Sequence, residues 1–360
     1  MRSVAIISVV IYHAWPKVIP GGFIGVDVFF VISGFLISQI IIKEINQDKF
    51  SFVNFYCRRI KRLYPVLIFV LCLALWIIQF IVEDDLKIFS LNTVDASLVF
   101  ASNLQILMHE KGYFDADIRN NPLLHLWSLG VEEQFYIVWP VLLIVIFKYF
   151  KKRALLILAA YTVFSFAFAI GSIFHSAKFA FYFPICRFWQ MAVGGILGYL
   201  NLQIRNKIIN NALSIVGLGV ILIGCYVMND ESFFPGFWAL LPTFGAAFII
   251  QARQESFINK HIFSSKLCVW IGKISYSLYL WHWPLLVYSN AFYPKGSKSI
   301  FANTYFIISL TVVLSVLSYF TVEDRIRKMK GRKIVVVLLV LMGVIGLISI
   351  PMRSSDMTRI

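Results

Sequence analysis

From residue 2 to residue 350 the chain keeps returning to apolar stretches close to the length that crosses a bilayer, about 20 residues for a helix. Eleven such stretches can be drawn: 2–19, 23–42, 64–82, 125–147, 154–173, 186–201, 208–228, 237–252, 269–289, 301–322 and 333–350. In lipid every backbone N–H and C=O must be satisfied within the protein, which leaves helices or closed barrels. These stretches are helix-length rather than ten-residue alternations, so the expected fold class is all-α, a polytopic membrane helical bundle. Composition agrees: 59% of residues are hydrophobic and 14% charged, against about 45–50% and 25% in soluble domains. A water-soluble core is excluded.

The formal net charge of +15 would suggest nucleic acid on a soluble protein. Here its distribution matters more. Loops 43–63, 148–153, 203–208, 253–268 and 323–333 hold 21 Lys and Arg, and the alternate loops hold 10. By the positive-inside rule the first set is cytoplasmic. The N-terminus is then expected inside, the C-terminus outside, and no nucleic-acid partner is needed. The outer stretch 83–124 carries Glu83, Asp84, Asp85, Asp95, Glu110, Asp115 and Asp117; short helices over the outer face are expected there.

Several classes can be set aside. Cys57, Cys72, Cys186, Cys225 and Cys268 form no CxxC pair and no Cys/His ligand spacing, so neither a disulfide framework nor a zinc site is expected. There is no P-loop, no G-x-S-x-G elbow and no His followed five residues later by Asp. The apolar pattern begins at once, without the cleavage site of a signal peptide. An enzymatic site would be built inside the bundle.

Ionisable residues at membrane depth are costly and therefore candidates for function. Arg2 and His13 share the first span. Eleven residues turn about 1,100°, some 20° past three circles, and rise about 16 Å. Both side chains thus share a face, Arg2 near the cytosolic end and His13 toward the outside. His13 is either a base for a hydroxyl or a packing residue. His125 and Glu132, seven apart in PLLHLWSLGVEEQFYIVWP, share a face as a base–orienter pair, a proton path or a structural ion pair. Asp27, in GGFIGVDVFFVISGFLI, orients His13 or caps its helix end. His282 sits in an aromatic belt and is expected to pack at the interface. Arg187 opens a helix whose Gly194 and Gly198 predict tight packing. His109, His175 and His261 are expected to be solvated loop residues. Of two basic clusters, 324–333 is explained by topology and anionic lipid. In NFYCRRIKRLYP, Arg58, Arg59 and Arg62 either answer to the same topology and anionic lipid or bind phosphate oxygens, with Arg59 and Arg62 on one face and Pro65 holding the cluster against a helix start.

Taken in order, R-x10-H from Arg2 to His13, GGFIGVDVFFVISGFLI, FYCRRIKRLYP, LLHLWSLGVEEQFYIVWP, ISYSLYLWHWPLL and SYFTVEDRIRK resemble the acyltransferase-3 family, the OafA-type O-acetyltransferases of bacterial envelopes. The resemblance runs from residue 2 to about 330. It implies an inner-membrane enzyme that takes an acyl group, usually acetyl, from cytoplasmic acyl-CoA without a metal. The acceptor implied is a sugar hydroxyl of an envelope polysaccharide or lipid-linked glycan, such as O-antigen, peptidoglycan or exopolysaccharide. It places the family's essential His and Arg on His13 and Arg2, and its cytosolic arginine pair on Arg59 and Arg62. The HlWSLxvEeQFY block falls on His125, Trp127, Ser128, Glu132, Gln134 and Tyr136. The expected mechanism has Arg59, Arg62 and Arg2 hold the CoA end, His13 act as base or acyl carrier, and Glu132 or Asp27 orient the imidazole.

Two departures stand out. Many relatives carry R-x-x-E where this chain has Arg187-Phe-Trp-Gln190, which weakens any ion-pair role there. The ends look clipped: the Arg of R-x10-H is residue 2, and only PMRSSDMTRI follows the last span, where relatives often continue into an outer SGNH-hydrolase-like domain. Residues 1–330 are expected to form the acyltransferase domain and 331–360 an extra span with a short outer tail. The competing expectation is a transporter or flippase of lipid-linked sugars. Its usual internal repeats are not seen.

Overall fold

The structure is a computed structural model that describes residues 1–80, 84–109, 116–229, 234–293 and 297–357. These are helical, with no strand among them. The α-helices are α1 (Arg2–Ala14), α2 (Gly25–Asn46), α3 (Phe52–Phe80), α4 (Asp84–Leu98), α5 (Ser102–Met108), α6 (Trp127–Tyr149), α7 (Ala154–Ile173), α8 (Ala177–Tyr182), α9 (Ile185–Leu200), α10 (Lys207–Val227), α11 (Leu240–Gln251), α12 (Lys266–Phe292), α13 (Thr304–Ser318), α14 (Asp324–Lys328) and α15 (Lys333–Met357). Each expected span falls on one of them. Among the described residues seven helices are long and apolar enough to cross a membrane; α1 and α11, with 13 and 12 residues, are shorter apolar helices.

The boundaries differ from expectation where proline or glycine decides. The first helix ends at Ala14 rather than Ile19, because Trp15 precedes Pro16 and a residue before proline is pushed out of the helical region. Conversely, α3 begins at Phe52, and Pro65 lies inside a 29-residue helix. The arginine cluster is therefore mid-helix and not at a helix start. Proline inside a membrane helix is tolerated because neighbouring groups re-satisfy the freed carbonyl. The stretch 83–124 does carry short helices, α4, α5 and 3-10 turns at Ala116–Asn120 and Leu124–Leu126. Glu83, Glu110 and Asp115 lie outside the described residues.

The chain divides into two compact units. Unit 1 is Met1–Phe50 with Val131–Ser275, and unit 2 is Ser51–Gly130 with Tyr276–Ile360. In unit 1, α2 is the hub and packs on α9, α1 and α11, while α7 lies on α9 and α10 on α11. The α2–α9 pair is backbone-close: a Cβ added at Gly34 would lie 1.8 Å from the Met191 carbonyl oxygen, and one at Gly194 2.0 Å from that of Val31. The expected tight packing of the Gly194 helix is thus met, with α2 as partner. In unit 2, α3 packs on α15 and α4.

Candidate functional site

The apolar sequence RSVAIISVVIYHA makes α1 a short buried rod, with Ala5, Ile6, Ser8, Val9, Val10 and Tyr12 inside. It seats on the start of α2 because glycines stand there: a Cβ at Gly25 would come within 2.3 Å of the Ala5 carbonyl oxygen. Arg2 and His13, both half-buried, open and close this one helix, as their spacing predicts. The His13 ring lies 5.1 Å from that of Tyr12, which meets Phe23 at 5.4 Å, and Phe23 meets Phe234 at 4.9 Å. The His13 end of α1 is thus walled by aromatics.

Asp27 is fully buried in the first turn of α2, and its carboxylate turns to α9 rather than to His13. Its Oδ1 receives the Arg187 guanidinium at 3.0 Å and the Gln190 amide N–H at 2.5 Å, both from α9. The Arg187 guanidinium also lies over the rings of Phe30, Phe181 and Phe234 at 5.3–5.7 Å. This corrects two expectations. Asp27 belongs to an α2–α9 ion pair, and position 187 does take part in one, with Asp27 as the carboxylate. Gln190 fits this arrangement better than an ionised Glu, since its amide donates to the carboxylate. The partners are 160 residues apart in sequence, and nothing local announces them.

Glu132, on α6, accepts from Ser33 Oγ of α2 at 2.7 Å and from Tyr136 Oη at 2.5 Å. One turn on, Trp139 Nε1 donates to Ser38 Oγ at 2.7 Å. A polar string of Ser33, Glu132, Tyr136, Trp139 and Ser38 thus runs between α2 and α6 within unit 1.

His125 belongs to unit 2, in the 3-10 turn before α6. Its ring faces Tyr279 at 5.2 Å and His282 at 5.5 Å, and its carbonyl accepts from Tyr279 Oη at 2.5 Å. Ser128 Oγ lies 2.6 Å from Tyr279 Oη, and His282 Nδ1 lies 2.6 Å from the Tyr279 carbonyl. His282, expected at the interface, is instead fully buried in a cluster that two distant motifs build together. The alternation S-Y-S-L-Y-L-W-H, with Tyr279 and His282 three apart on α12, was the one available signal.

The arginine cluster occupies the first half of α3. Arg59 is buried, Arg62 half-buried and Arg58 exposed. Arg62 is within electrostatic reach of the buried Glu323, which accepts from Ser277 Oγ at 2.8 Å. Lys61 Nζ donates to the Met329 carbonyl at 2.9 Å. The cluster is thereby tied to the segment 319–329. Among the described residues no group of His, Cys, Asp and Glu could hold a metal ion.

The family model described as an acyltransferase domain matches residues 1–323. The O-acetyltransferase OatA of Staphylococcus aureus strain NCTC 8325 is 32% identical over 349 residues, covering 92% of this chain and 57% of the relative. The OatA of strain COL matches to the same extent. The chain therefore spans 57% of the length of these curated relatives. No solved structure matches.

Proposed function

The chain belongs to the acyltransferase-3 family, and from that premise we propose that it is a membrane O-acyltransferase of the bacterial inner membrane. It moves an acyl group, acetyl in the first instance, from cytoplasmic acyl-CoA to a hydroxyl of an envelope polysaccharide or lipid-linked glycan. The observation that carries the proposal is the placement of Arg2 and His13 at the two ends of one short buried helix inside the family-matched region.

The chemistry assigned to the residues is as follows. The imidazole of His13 removes the proton from the acceptor hydroxyl, or first takes the acyl group itself. The oxygen attacks the thioester carbonyl, the C–S bond breaks, and the thiolate of CoA leaves and is protonated. Arg2 lies at the thioester end of the route and stabilises the carbonyl oxygen as charge develops on it. Arg58, Arg59 and Arg62 attract the donor's phosphates. Glu132, held by Ser33 and Tyr136, is a carboxylate with its hydrogen bonds already arranged. It serves as the proton's eventual partner or as a support of the α2–α6 string. The Arg187–Asp27 pair locks α9 to the helix that carries α1, so Asp27 acts on His13 at one remove, as a positioning residue. His125 packs its ring against His282 and Tyr279, with both ring nitrogens buried and unpartnered, which favours a structural role in that cluster. The span α15 leads outward, toward an outer partner of the SGNH type in this reading.

The test is O-acetylation of the envelope glycan, read by mass spectrometry in cells carrying His13→Ala. Acetylation falls to background while the protein inserts and accumulates normally. Unchanged acetylation in that strain sinks the mechanism.

A further inference from the structure

Two cavities of unit 1 are lined by residues to which the proposed function gives no role. The first, of about 620 Å³, is lined by Arg205, Lys207, Asn210, Phe257, Lys260 and His261 among others. These come from the start of α10 and from the segment between α11 and α12, loops whose Lys and Arg excess predicts a cytoplasmic location. The second, of about 700 Å³, shares Arg253 and Glu255 with the first and extends to Met1, Phe35, Leu197 and Ile249. One is cationic; the other turns apolar as it approaches the residue before α1.

The wall they share is hydrogen-bonded. Arg253 donates through Nε to the Leu202 carbonyl at 3.1 Å and through Nη2 to the Asn201 carbonyl at 3.0 Å. Gln251 Nε2 donates to Leu202 at 3.2 Å, and the Phe257 N–H to Asn211 Oδ1 at 2.9 Å. The Arg253 guanidinium is spent on this scaffold. The side chains of Arg205, Lys207 and Lys260 carry no hydrogen bond or ion pair among the described residues, and Glu255 is the one carboxylate among the lining residues. Three cations converge on a cavity with little to neutralise them.

Asn210 supplies an independent observation. It is 6% exposed, and its Nδ2 donates to the Ile204 carbonyl at 2.9 Å. That bond fixes the amide so that Oδ1 is the remaining group, and Oδ1 is buried without a partner. Buried acceptors are almost always matched. A phosphate dianion cannot match this one, because it offers no donor. A group that meets Oδ1 carries an N–H or O–H, which a nucleoside offers beside its anionic phosphates. Phe257 and His261, with ring centroids 5.0 Å apart, add aromatic faces of the kind on which bases stack.

We propose that this cavity binds a phosphorylated nucleoside. Arg205, Lys207 and Lys260 meet its phosphates, Asn210 Oδ1 accepts from its amino or hydroxyl group, and the Phe257–His261 pair offers an aromatic face to its base. Resting on the acyl-CoA reading above, the ligand is the nucleotide end of the acyl donor. The apolar cavity takes the chain attached to it toward Met1 and Arg2. This is a second phosphate-binding region, in addition to the arginines of α3.

The test uses the full chain in neutral phosphatidylcholine nanodiscs, titrated with adenosine 3′,5′-bisphosphate. Saturable, salt-sensitive binding is expected, weakened about tenfold or more by Arg205→Ala with Lys260→Ala, as loss of two charge-assisted contacts requires. Asn210→Asp, which sets a carboxylate against the phosphates, and Phe257→Ala also weaken it, while Lys152→Ala leaves it unchanged. Circular dichroism and melting temperature confirm that each variant folds. Absent binding, or binding indifferent to the cavity variants, overturns the proposal. So does a result in which the variants alter only retention of phosphatidylglycerol from mixed nanodiscs, which would make the cavity a lipid-headgroup site. Cavity-dependent nucleotide binding in a chain that transfers no acyl group leaves the site standing and removes the acyltransferase reading instead.

Discussion

At the residue scale, spacing within one helix was legible and partnership across helices was not. Arg2 and His13 could be placed on one face by arithmetic, because eleven residues nearly close three turns. Asp27 could be recognised as costly in an apolar span, but its partners, Arg187 and Gln190, come from a helix whose approach no local pattern encodes. The pair carries a prediction. Asp27→Asn leaves a buried guanidinium uncompensated and should destabilise unit 1 by about 3–5 kcal/mol, seen as a lower melting temperature in detergent. Adding Arg187→Gln should recover part of that loss, since removing both charges avoids the unpaired one. A double variant no better than Asp27→Asn would show that the ion pair is not what stabilises the α2–α9 contact. His282 teaches a related lesson: an aromatic neighbourhood reads as an interface in sequence, whereas the same residues surround a buried histidine cluster in space.

At the element scale, the helices follow from apolar runs, and their ends from proline and glycine. Trp15–Pro16 ends α1 as the rule for residues before proline dictates. Pro65 misled because the same residue is a helix terminator in water and a tolerated interior residue in a membrane bundle. Where helices meet, small residues set the distance. Gly34→Ala would place a Cβ 1.8 Å from the Met191 carbonyl oxygen. A backbone atom cannot swing aside as a side chain can, so α2 and α9 must separate. We expect Gly34→Ala to cost at least the 1–3 kcal/mol typical of overpacking and to cut the yield of monodisperse protein, while Gly219→Ala, which faces open space, leaves it unchanged. A second element-level prediction concerns α3. If Arg59 and Arg62 serve the acyl donor, Arg59→Ala with Arg62→Ala should raise the KM for acetyl-CoA at least about tenfold, the loss of one or two charge-assisted contacts. An unaltered KM would reassign them to holding the segment 319–329.

At the scale of the whole molecule, the distribution of charge predicts orientation. In a background with the five native cysteines replaced, Lys17→Cys should react with an impermeant maleimide in intact spheroplasts. Lys152→Cys should react only after permeabilisation. The opposite pattern would invert the topology and place the cationic cavity on the outside. The sequence by itself determined the fold class, the positions of the helices and the family, because hydrophobic run length, proline and motif order are one-dimensional properties. Only the tertiary structure decided which helices touch, that Asp27 answers Arg187, that His125 answers His282, and that loops 203–207 and 253–263 enclose a cationic cavity with an unmatched Asn210. Those outcomes depend on side chains brought together from across the chain. In a bundle where every helix is similarly apolar, hydrophobicity does not select the neighbours; close packing at glycines and the pairing of a few buried polar groups do.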